Sequence, residues 1–387
     1  MTAFRKPFQV DDLTESRRIL QSREFGVPDF ASGLRKLEQA TELELPHIIA
    51  MAEKVLFLVN GPEHLRRRRA WMGFFRADNI CRWDGEILAI AETAVAQLPE
   101  EGEVELMDAF TIPLVSLSNC RLLGVPEENH RLYNTWTTEI ASLVESVLSI
   151  RRARRAEELA ALFAADLKLR LSSRVAPPGP APSMLDFLDE TLPESSLEEE
   201  RIPTLMGLYM TGLATLFTFS NALNRVASSS AEYRQALLAP DTSDRTFDDL
   251  IGRSVAVVYM HRIARQETQV NGVTLVPGNS VLARTVDPDA APLRGGCPFS
   301  GSSSESTGTD PASGPAQMPF GVGLHKCIGE DFAKRVIRHG VTALLRRFPD
   351  FRTIQAPTHG GPLPNISGPD ALHSNLVPRD PNRALNV

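Results

Sequence analysis

The stretch Met318–Lys334, MPFGVGLHKCIGEDFAK, constrains this chain more than any other part of the sequence. It places Cys327 among three glycines and two residues after His325. Apolar residues recur at helical spacing from Phe332 to Phe348, which predicts a helix that begins at Gly329–Asp331. Cys327 is therefore expected just ahead of a helix N-terminus, where backbone N–H groups favour a thiolate over a thiol. A thiolate is the form that binds a soft metal.

The glycines of this stretch suggest a close approach of the backbone to something large. Gly321 and Gly323 permit a tight turn with positive φ, and they leave room for a flat, bulky group. His325 adds a hydrogen-bond donor beside the cysteine. The alternative is a buried structural cysteine at a helix start, which is common for an arbitrary cysteine.

The cysteines as a set indicate neither a disulfide framework nor a zinc ribbon. They lie far apart and form no CxxC pair, so each has to be explained singly. The four are Cys81, Cys120, Cys297 and Cys327.

Composition is that of a soluble globular protein. The 387 residues are 42% hydrophobic and 23% charged, and their formal net charge of −7 gives no reason to expect nucleic acid. The N-terminus has no continuous apolar stretch, so we expect no signal peptide or membrane anchor and a cytoplasmic location. The most apolar run, Leu205–Phe219, is too short to span a bilayer and predicts a helix buried on all sides.

Helical patterns dominate the rest of the chain. Apolar residues recur at intervals of three and four residues in Pro46–Leu58, Arg82–Leu98 and Leu132–Leu171. The clearest β signal is Asn271-Gly272, a turn pair between two alternating segments. The stretch 295–317 is rich in Gly, Ser and Pro and predicts a long low-complexity loop. The pattern therefore predicts a mainly α protein with a small β region.

The cysteine stretch resembles the haem-binding loop of the cytochromes P450. Its run Phe320-Gly321-x-Gly323-x-His325-x-Cys327-x-Gly329 matches that loop in full. The resemblance implies one large cytochrome P450 domain over residues 1–387, haem b as cofactor, and Cys327 as the iron ligand. It also implies that the low-complexity loop 295–317 replaces the meander usual in this family. The loop residues expected at the cofactor are Phe320, Gly321, His325, Cys327 and Gly329.

Further cations match the family's contacts to the haem propionates. GPEHLRRRRAWMGFF resembles a family helix in which His64 and Arg68 take the HxxxR positions, four residues apart on one face. Arg262, in MHRIA, matches a further propionate arginine; the alternative is an exposed strand arginine. The other three arginines of this helix are interpreted as solvated or as facing an acidic redox partner: Arg66, Arg67 and Arg69.

The apolar helix predicted at Met206–Leu223 resembles the family's long helix over the haem. In its TGLAT stretch, Gly212 would leave room for dioxygen and Thr215 would offer a hydroxyl close to it, although Thr215 could instead bond back to the carbonyl of Thr211. Ala214 stands where the family has an acid, so the usual proton relay lacks its carboxylate. The expected substrate pocket comprises Gly207, Met210, Thr211 and Val258.

Two further departures concern the cysteine side of the molecule. The ExxR pair of the family is absent, because Leu250 stands three residues before Arg253. Asp249 lies four residues before Arg253, so these two could form either a helical pair shifted by one residue or a surface pair of small energetic value. The meander arginine is also missing. The resemblance thus predicts looser structure on this side than in the family.

The resemblance implies a soluble, monomeric bacterial-type monooxygenase. It would hydroxylate or oxidatively couple a small lipophilic or aromatic metabolite, using O2 and electrons from NAD(P)H through a ferredoxin reductase and a ferredoxin. Ala214 motivates a first alternative, a haem-thiolate enzyme without the usual relay: a peroxygenase, an isomerase or an enzyme of nitrogen-oxide chemistry. A second alternative is a catalytically decayed auxiliary protein that binds a partner enzyme. Auxiliary proteins of this kind in the family typically lose the ligand cysteine, which this chain keeps.

Overall fold

The computed structural model describes residues 6–145, 149–172, 181–192, 197–240, 242–286, 317–355 and 366–378. Within these ranges the chain forms fourteen α helices and nine short strands. The helices are α1 (Leu13–Gln21), α2 (Phe30–Ala40), α3 (Pro46–Ala52), α4 (Gly61–Phe74), α5 (Ala77–Ile80), α6 (Asp84–Ala96), α7 (Ile112–Leu123), α8 (His130–Glu145), α9 (Ile150–Ser172), α10 (Met184–Thr191), α11 (Ile202–Ala227), α12 (Ala231–Leu238), α13 (Ser243–Ser254) and α14 (Glu330–Arg347). The strands are β1 (Phe8–Val10), β2 (Phe25–Gly26), β3 (Gly102–Glu105), β4 (Tyr259–Ala264), β5 (Thr268–Val270), β6 (Val273–Leu275), β7 (Ser280–Arg284), β8 (Arg352–Thr353) and β9 (His373–Leu376).

Helix α11 forms the centre of the molecule. It packs against α7, α8, α13 and α14, and its side chains are buried around most of its circumference. The stretch Glu198–Ala227 is long and apolar enough to cross a membrane, but 72% of its apolar window is buried inside the protein. It is therefore a core helix, as the sequence predicts, although longer than the apolar run Leu205–Phe219.

Three small sheets lie beside the helices. The largest has the order β1-β7-β4-β2, with β1 parallel to β7 and the other pairs antiparallel. A second has the order β3-β9-β8, and β5 and β6 form a hairpin. At the hairpin turn φ is 48° at Asn271 and 77° at Gly272, as a type I′ turn requires. The predicted hairpin is thus confirmed.

The helical predictions hold with changed boundaries. Leu132–Leu171 is covered by two helices, α8 and α9, and Pro46–Leu58 contains α3 followed by a single 3₁₀ turn at Leu56–Leu58. Helix α6 lies inside the predicted Arg82–Leu98. The fold class, mainly α with a small β region, is confirmed. The low-complexity loop 295–317 and Cys297 lie outside the described residues, apart from Gln317.

Candidate functional site

A cavity of about 460 Å³ lies between α11 and the loop that precedes α14. Most of the residues expected at the site from the sequence line it, although they come from distant parts of the chain. These are His64, Arg68, Gly207, Met210, Thr211, Gly212, Ala214, Thr215, Arg262, Phe320, His325, Cys327 and Gly329. Gly321 and Val258 are not part of the lining.

The cysteine loop depends on its glycines. Gly321 and Gly323 have φ of 66° and 74°, which a residue with a Cβ rarely adopts. A Cβ at Gly323 would also lie 2.6 Å from the carbonyl oxygen of Leu20. The N–H of Cys327 donates to the carbonyl oxygen of Phe320 at 2.8 Å, which closes the loop ahead of α14. The predicted position of Cys327 before a helix start is confirmed.

Cys327 is exposed to the cavity and yet lies deep in the protein. Burial raises the pKa of its thiol, and Glu330 raises it further, whereas the N–H of Gly329 and the cations Arg68 and Lys326 lower it. The N–H at the helix start favours the thiolate, as expected, but burial outweighs it, and the net direction of the pKa is upward. A metal that displaces the proton would supply the missing stabilisation.

Four basic side chains meet at one side of the cavity. His64 and Arg68 come from α4, Arg262 comes from β4, and His325 comes from the cysteine loop. The rings of His64 and His325 lie 4.1 Å apart between centroids, and Arg68 Nη1 donates to the carbonyl oxygen of Lys326 at 2.7 Å. Burial, with the neighbouring cations, lowers the pKa of His325 to about 3. Burial also lowers the pKa of Arg262 to about 10.

Several of these groups have buried polar atoms without a hydrogen-bond partner among the described residues. They are His64 Nε2, Arg262 Nη2 and His325 Nδ1. An unpaired buried donor is costly, so such a cluster suits an anionic group that would accept from it. Arg262 is only 5% exposed, which rules out the alternative of an exposed strand arginine. The cations, the thiol and the glycine loop together fit a flat cofactor that bears carboxylates and a soft metal.

The wall opposite the cysteine is formed by α11. A Cβ at Gly212 would lie 2.0 Å from the side-chain nitrogen of Asn119, so the space beside this glycine is taken by the Asn119 amide from α7. The Thr215 hydroxyl makes no hydrogen bond within the described part of the chain, whereas Thr211 donates to the carbonyl oxygen of Leu208 at 2.6 Å. The alternative back-bond from Thr215 to Thr211 therefore does not form. No carboxylate occurs among the described lining residues, consistent with Ala214 in the acid position.

Two expectations about individual residues need correction. Val258 does not face the cavity, because its neighbour Val257 bridges to Ile366 and lines the wall, and successive residues of an extended segment point to opposite sides. Arg67 is not solvated: it is 7% exposed and pairs with Glu63 and Glu200 at 2.5 and 3.2 Å. It lies three residues after His64 and therefore shares its inward face.

The sequence left most of the apolar lining unassigned. This lining comes from loops and helix faces whose pattern predicts only burial, so no local signal singles it out. It includes Phe30, Val55, Leu58, Trp71, Leu122, Leu123 and Val255.

The shifted pair on α13 is present, with Arg253 Nε 2.7 Å from Asp249 Oδ1. The two side chains are 38% and 41% exposed, as in a surface pair of small energetic value. The structure thus agrees with the surface-pair interpretation.

The fold and the site together fit a haem-thiolate protein. No family model matches the chain. Among curated proteins, it is 25% identical over 317 residues to cytochrome P450 FAS1 of Rhodococcoides fascians, covering 81% of this chain and 75% of that protein. It is also 25% identical over 310 residues to mycinamicin IV hydroxylase/epoxidase of Micromonospora griseorubida, covering 78% and 74%. The solved structure of myxobacterial cytochrome P450 CYP267B1 with myristic acid superposes with a TM-score of 0.74 at 18% identity, over 96% of this chain and 90% of that chain.

The chain is similar in sequence and in fold to the soluble bacterial cytochromes P450, a family of monooxygenases whose cofactor is haem b. Haem supplies oxygen activation at an iron held by a thiolate. The residues present fit this group: Cys327 would hold the iron, and His64, Arg68, Arg262 and His325 would hold the propionates. Apolar walls of this kind would exclude water and orient a bound molecule.

Proposed function

We propose that the protein hydroxylates or oxidatively couples a small lipophilic or aromatic metabolite in the cytoplasm. The observation that carries this proposal is the cavity itself. Cys327 lies at one wall, the basic side chains cluster beside it, and the wall formed by α7 and α11 is mostly apolar. A cavity with few polar groups selects ligands by shape and apolar contact.

The printed names of relatives support this class of substrate. The relative from Micromonospora griseorubida is named for hydroxylation and epoxidation of mycinamicin IV, and CYP267B1 was crystallised with myristic acid. Myristic acid is a small molecule that is largely apolar. For this chain we infer the same general chemistry and no particular compound.

We further propose that the protein works as a monomer and takes its electrons from a ferredoxin and its reductase. Exposed cations occur on α4, at Arg66 and Arg69, and ahead of α14, at Lys326. Arg66 pairs with Glu63 and Lys326 pairs with Glu330. Such a surface suits an acidic partner, because complementary charge accelerates encounter. In this proposal Thr215, whose hydroxyl has no partner within the described chain, donates or holds a proton in the cavity.

The experiment is turnover of a substrate found by spin-state screening of lipophilic compounds. With isotopically labelled dioxygen, NADPH, a ferredoxin and its reductase, a hydroxylated product should carry one labelled oxygen atom. A coupled product should carry none, and the label should appear in water. Product that forms only with hydrogen peroxide, and never with the ferredoxin system, would contradict the proposal.

That second outcome would favour a peroxygenase, for which the missing acid is the specific observation. Ala214 lines the cavity, and no carboxylate accompanies it among the described lining residues. If the absent carboxylate limits delivery of protons, Ala214→Asp should raise ferredoxin-driven turnover by roughly a hundredfold, the lower end of the range for general acid catalysis. Ala214→Ser, which adds bulk without an acid, is the matched control and should not. An unchanged rate in Ala214→Asp would show that the carboxylate is not limiting.

A further inference from the structure

The wall between α7 and α11 contains a side-chain amide, that of Asn119, with no hydrogen-bond partner among the described residues. Asn119 is half-buried, lines the cavity, and makes no hydrogen bond within the described chain. Its side-chain nitrogen lies against α11 at Gly212, in the space that a Cβ there would fill. Leu122 and Leu123, the next turn of α7, also line the cavity and are apolar. The amide thus stands alone on this part of an apolar wall.

Other neutral polar groups of the lining are already engaged. Tyr259 donates its hydroxyl to Asp11 at 2.7 Å, and Thr218 accepts from the N–H of Ala256 at 3.2 Å. The Thr211 hydroxyl donates to a backbone carbonyl of its own helix. Apart from the histidines expected at the propionates, two neutral groups of the described lining remain available to a ligand, the Asn119 amide and the Thr215 hydroxyl.

The positions of these two groups are coupled through α11. Gly212, against which Asn119 packs, precedes Thr215 by three residues, which is about 4.5 Å along a helix axis. An amide offers both a donor and an acceptor and carries no charge. A ligand that meets it therefore needs a neutral hydroxyl or carbonyl oxygen, and a purely apolar ligand would leave the amide unsatisfied.

We propose that Asn119 is a specificity-determining residue whose amide holds a hydroxyl or carbonyl oxygen of an otherwise apolar substrate against the α7 wall. This inference rests on the proposed function and narrows its substrate class to lipophilic molecules with a neutral oxygen at that side. Gly212 contributes by making room for the amide, and not only by making room for dioxygen.

The test uses azole probes, because an azole nitrogen on haem iron reports binding through a shift of the absorption spectrum. The probes are 4-phenylimidazole and its three hydroxyphenyl isomers, titrated into the purified haem-loaded protein. The quantity compared is the Kd of 4-phenylimidazole divided by that of each hydroxylated isomer. For at least one isomer, Asn119→Leu should lower this ratio roughly threefold to tenfold, the effect of one neutral hydrogen bond.

Two further variants keep the test informative should Asn119→Leu fail to bind haem. Gly212→Ala would place a Cβ 2.0 Å from the amide nitrogen, so it should displace the amide and lower the same ratio while Asn119 is retained. Leu122→Met changes the shape of the same wall without touching a polar group, and it should leave the ratio as it is.

The outcomes separate the two levels of the proposal. If azoles shift the spectrum and no ratio changes in Asn119→Leu or Gly212→Ala, the inference about Asn119 is overturned and the proposed function stands. If Leu122→Met lowers the ratio as much as Asn119→Leu does, the effect is one of packing and the inference is again overturned. If no azole shifts the spectrum of the wild-type protein, the proposed function fails and the inference fails with it.

Discussion

Arg262 shows at the residue scale how a protein prepares a site for an anion. Its guanidinium is buried on β4, one of its nitrogens donates to the carbonyl oxygen of His261 at 2.8 Å, and Nη2 has no partner among the described residues. A buried cation of this kind is unfavourable unless a negative group joins it. We therefore regard it as the strongest of the proposed propionate contacts.

The first prediction concerns this residue. Arg262→Gln removes the charge and should release haem about tenfold to a hundredfold faster, because hydrogen bonds to charged groups contribute about 1.5–3 kcal/mol. The measurement is the rate of haem transfer to apomyoglobin. Arg253→Gln, which removes an arginine that is 38% exposed in a surface pair, is the control and should leave the rate unchanged. Equal rates in Arg262→Gln and the wild type would remove Arg262 from the cofactor site.

Glu63 gives a second prediction at this scale. Hydrogen bonds from Arg66 and the charges of Arg66 and Arg67 lower its pKa from 4.5 to about 2. A lowered folded-state pKa stabilises the fold above the unfolded value and ceases to do so as the pH falls from about 4.5 to about 2. Because Glu63 is 42% exposed, we discount the full linkage value to about 1 kcal/mol.

Glu63→Gln should therefore lower the free energy of unfolding by about 1 kcal/mol at pH 7, and the difference from wild type should vanish near pH 2. Urea unfolding across this range measures it. Asp78→Asn, in a fully exposed pair with Arg76, should show no pH-dependent difference of this size. A wild-type advantage that persists at pH 2 would show that the effect of Glu63 is not electrostatic.

At the scale of elements, the contact of α14 with α11 and α7 holds the cysteine loop beneath the cavity. Gly340 lies on the inner face of α14, where a Cβ would be 2.3 Å from Phe219 of α11 and 2.7 Å from Leu114 of α7. Phe219 and Leu114 are fully buried, so neither can move away cheaply. The glycine sets how closely these three helices approach.

Gly340→Ala should accordingly lower the free energy of unfolding by about 1–3 kcal/mol through overpacking. Gly73→Ala is the matched control, because a Cβ there meets nothing within 4 Å, and it should raise the free energy of unfolding by about 0.5–1 kcal/mol. Chemical denaturation of both variants tests the pair. The packing argument is wrong if Gly340→Ala is as stable as the wild-type protein.

What the sequence could predict at this scale follows from distance along the chain. The cysteine loop and α14 are contiguous in the sequence. The glycines, the cysteine and the helical spacing of the apolar residues therefore appear together in one short stretch, and they identify the loop. The contact between Asn119 and Gly212 joins two helices that are far apart in sequence. The sequence of α7 predicts only an apolar helix, so it does not predict this contact. The prediction for Val258 is wrong for a similar reason, since the side to which it points is set by the pairing of its neighbour Val257 with Ile366.

At the scale of the whole molecule, the mainly α class and the position of the central helix were predictable because helical period and apolar content are local properties. The sheet order was not, since β1 pairs in parallel with β7, which lies far away in the sequence: Phe8 is opposite Val281. All four members of the basic cluster beside the cavity were expected at the cofactor, but only because of the family resemblance. Helical spacing pairs His64 with Arg68, whereas the arrival of Arg262 and His325 at the same place depends on the complete fold.

The central claim is that the sulfur of Cys327 holds the haem iron. The measurement that tests it most directly is the absorption spectrum of the reduced, carbon-monoxide-bound protein, recorded for the wild type and for Cys327→Ser. The wild type should show the far red-shifted Soret band of an intact thiolate ligand, and Cys327→Ser should lose it. The same red-shifted band in Cys327→Ser, or its absence from haem-loaded wild-type protein, would contradict the claim.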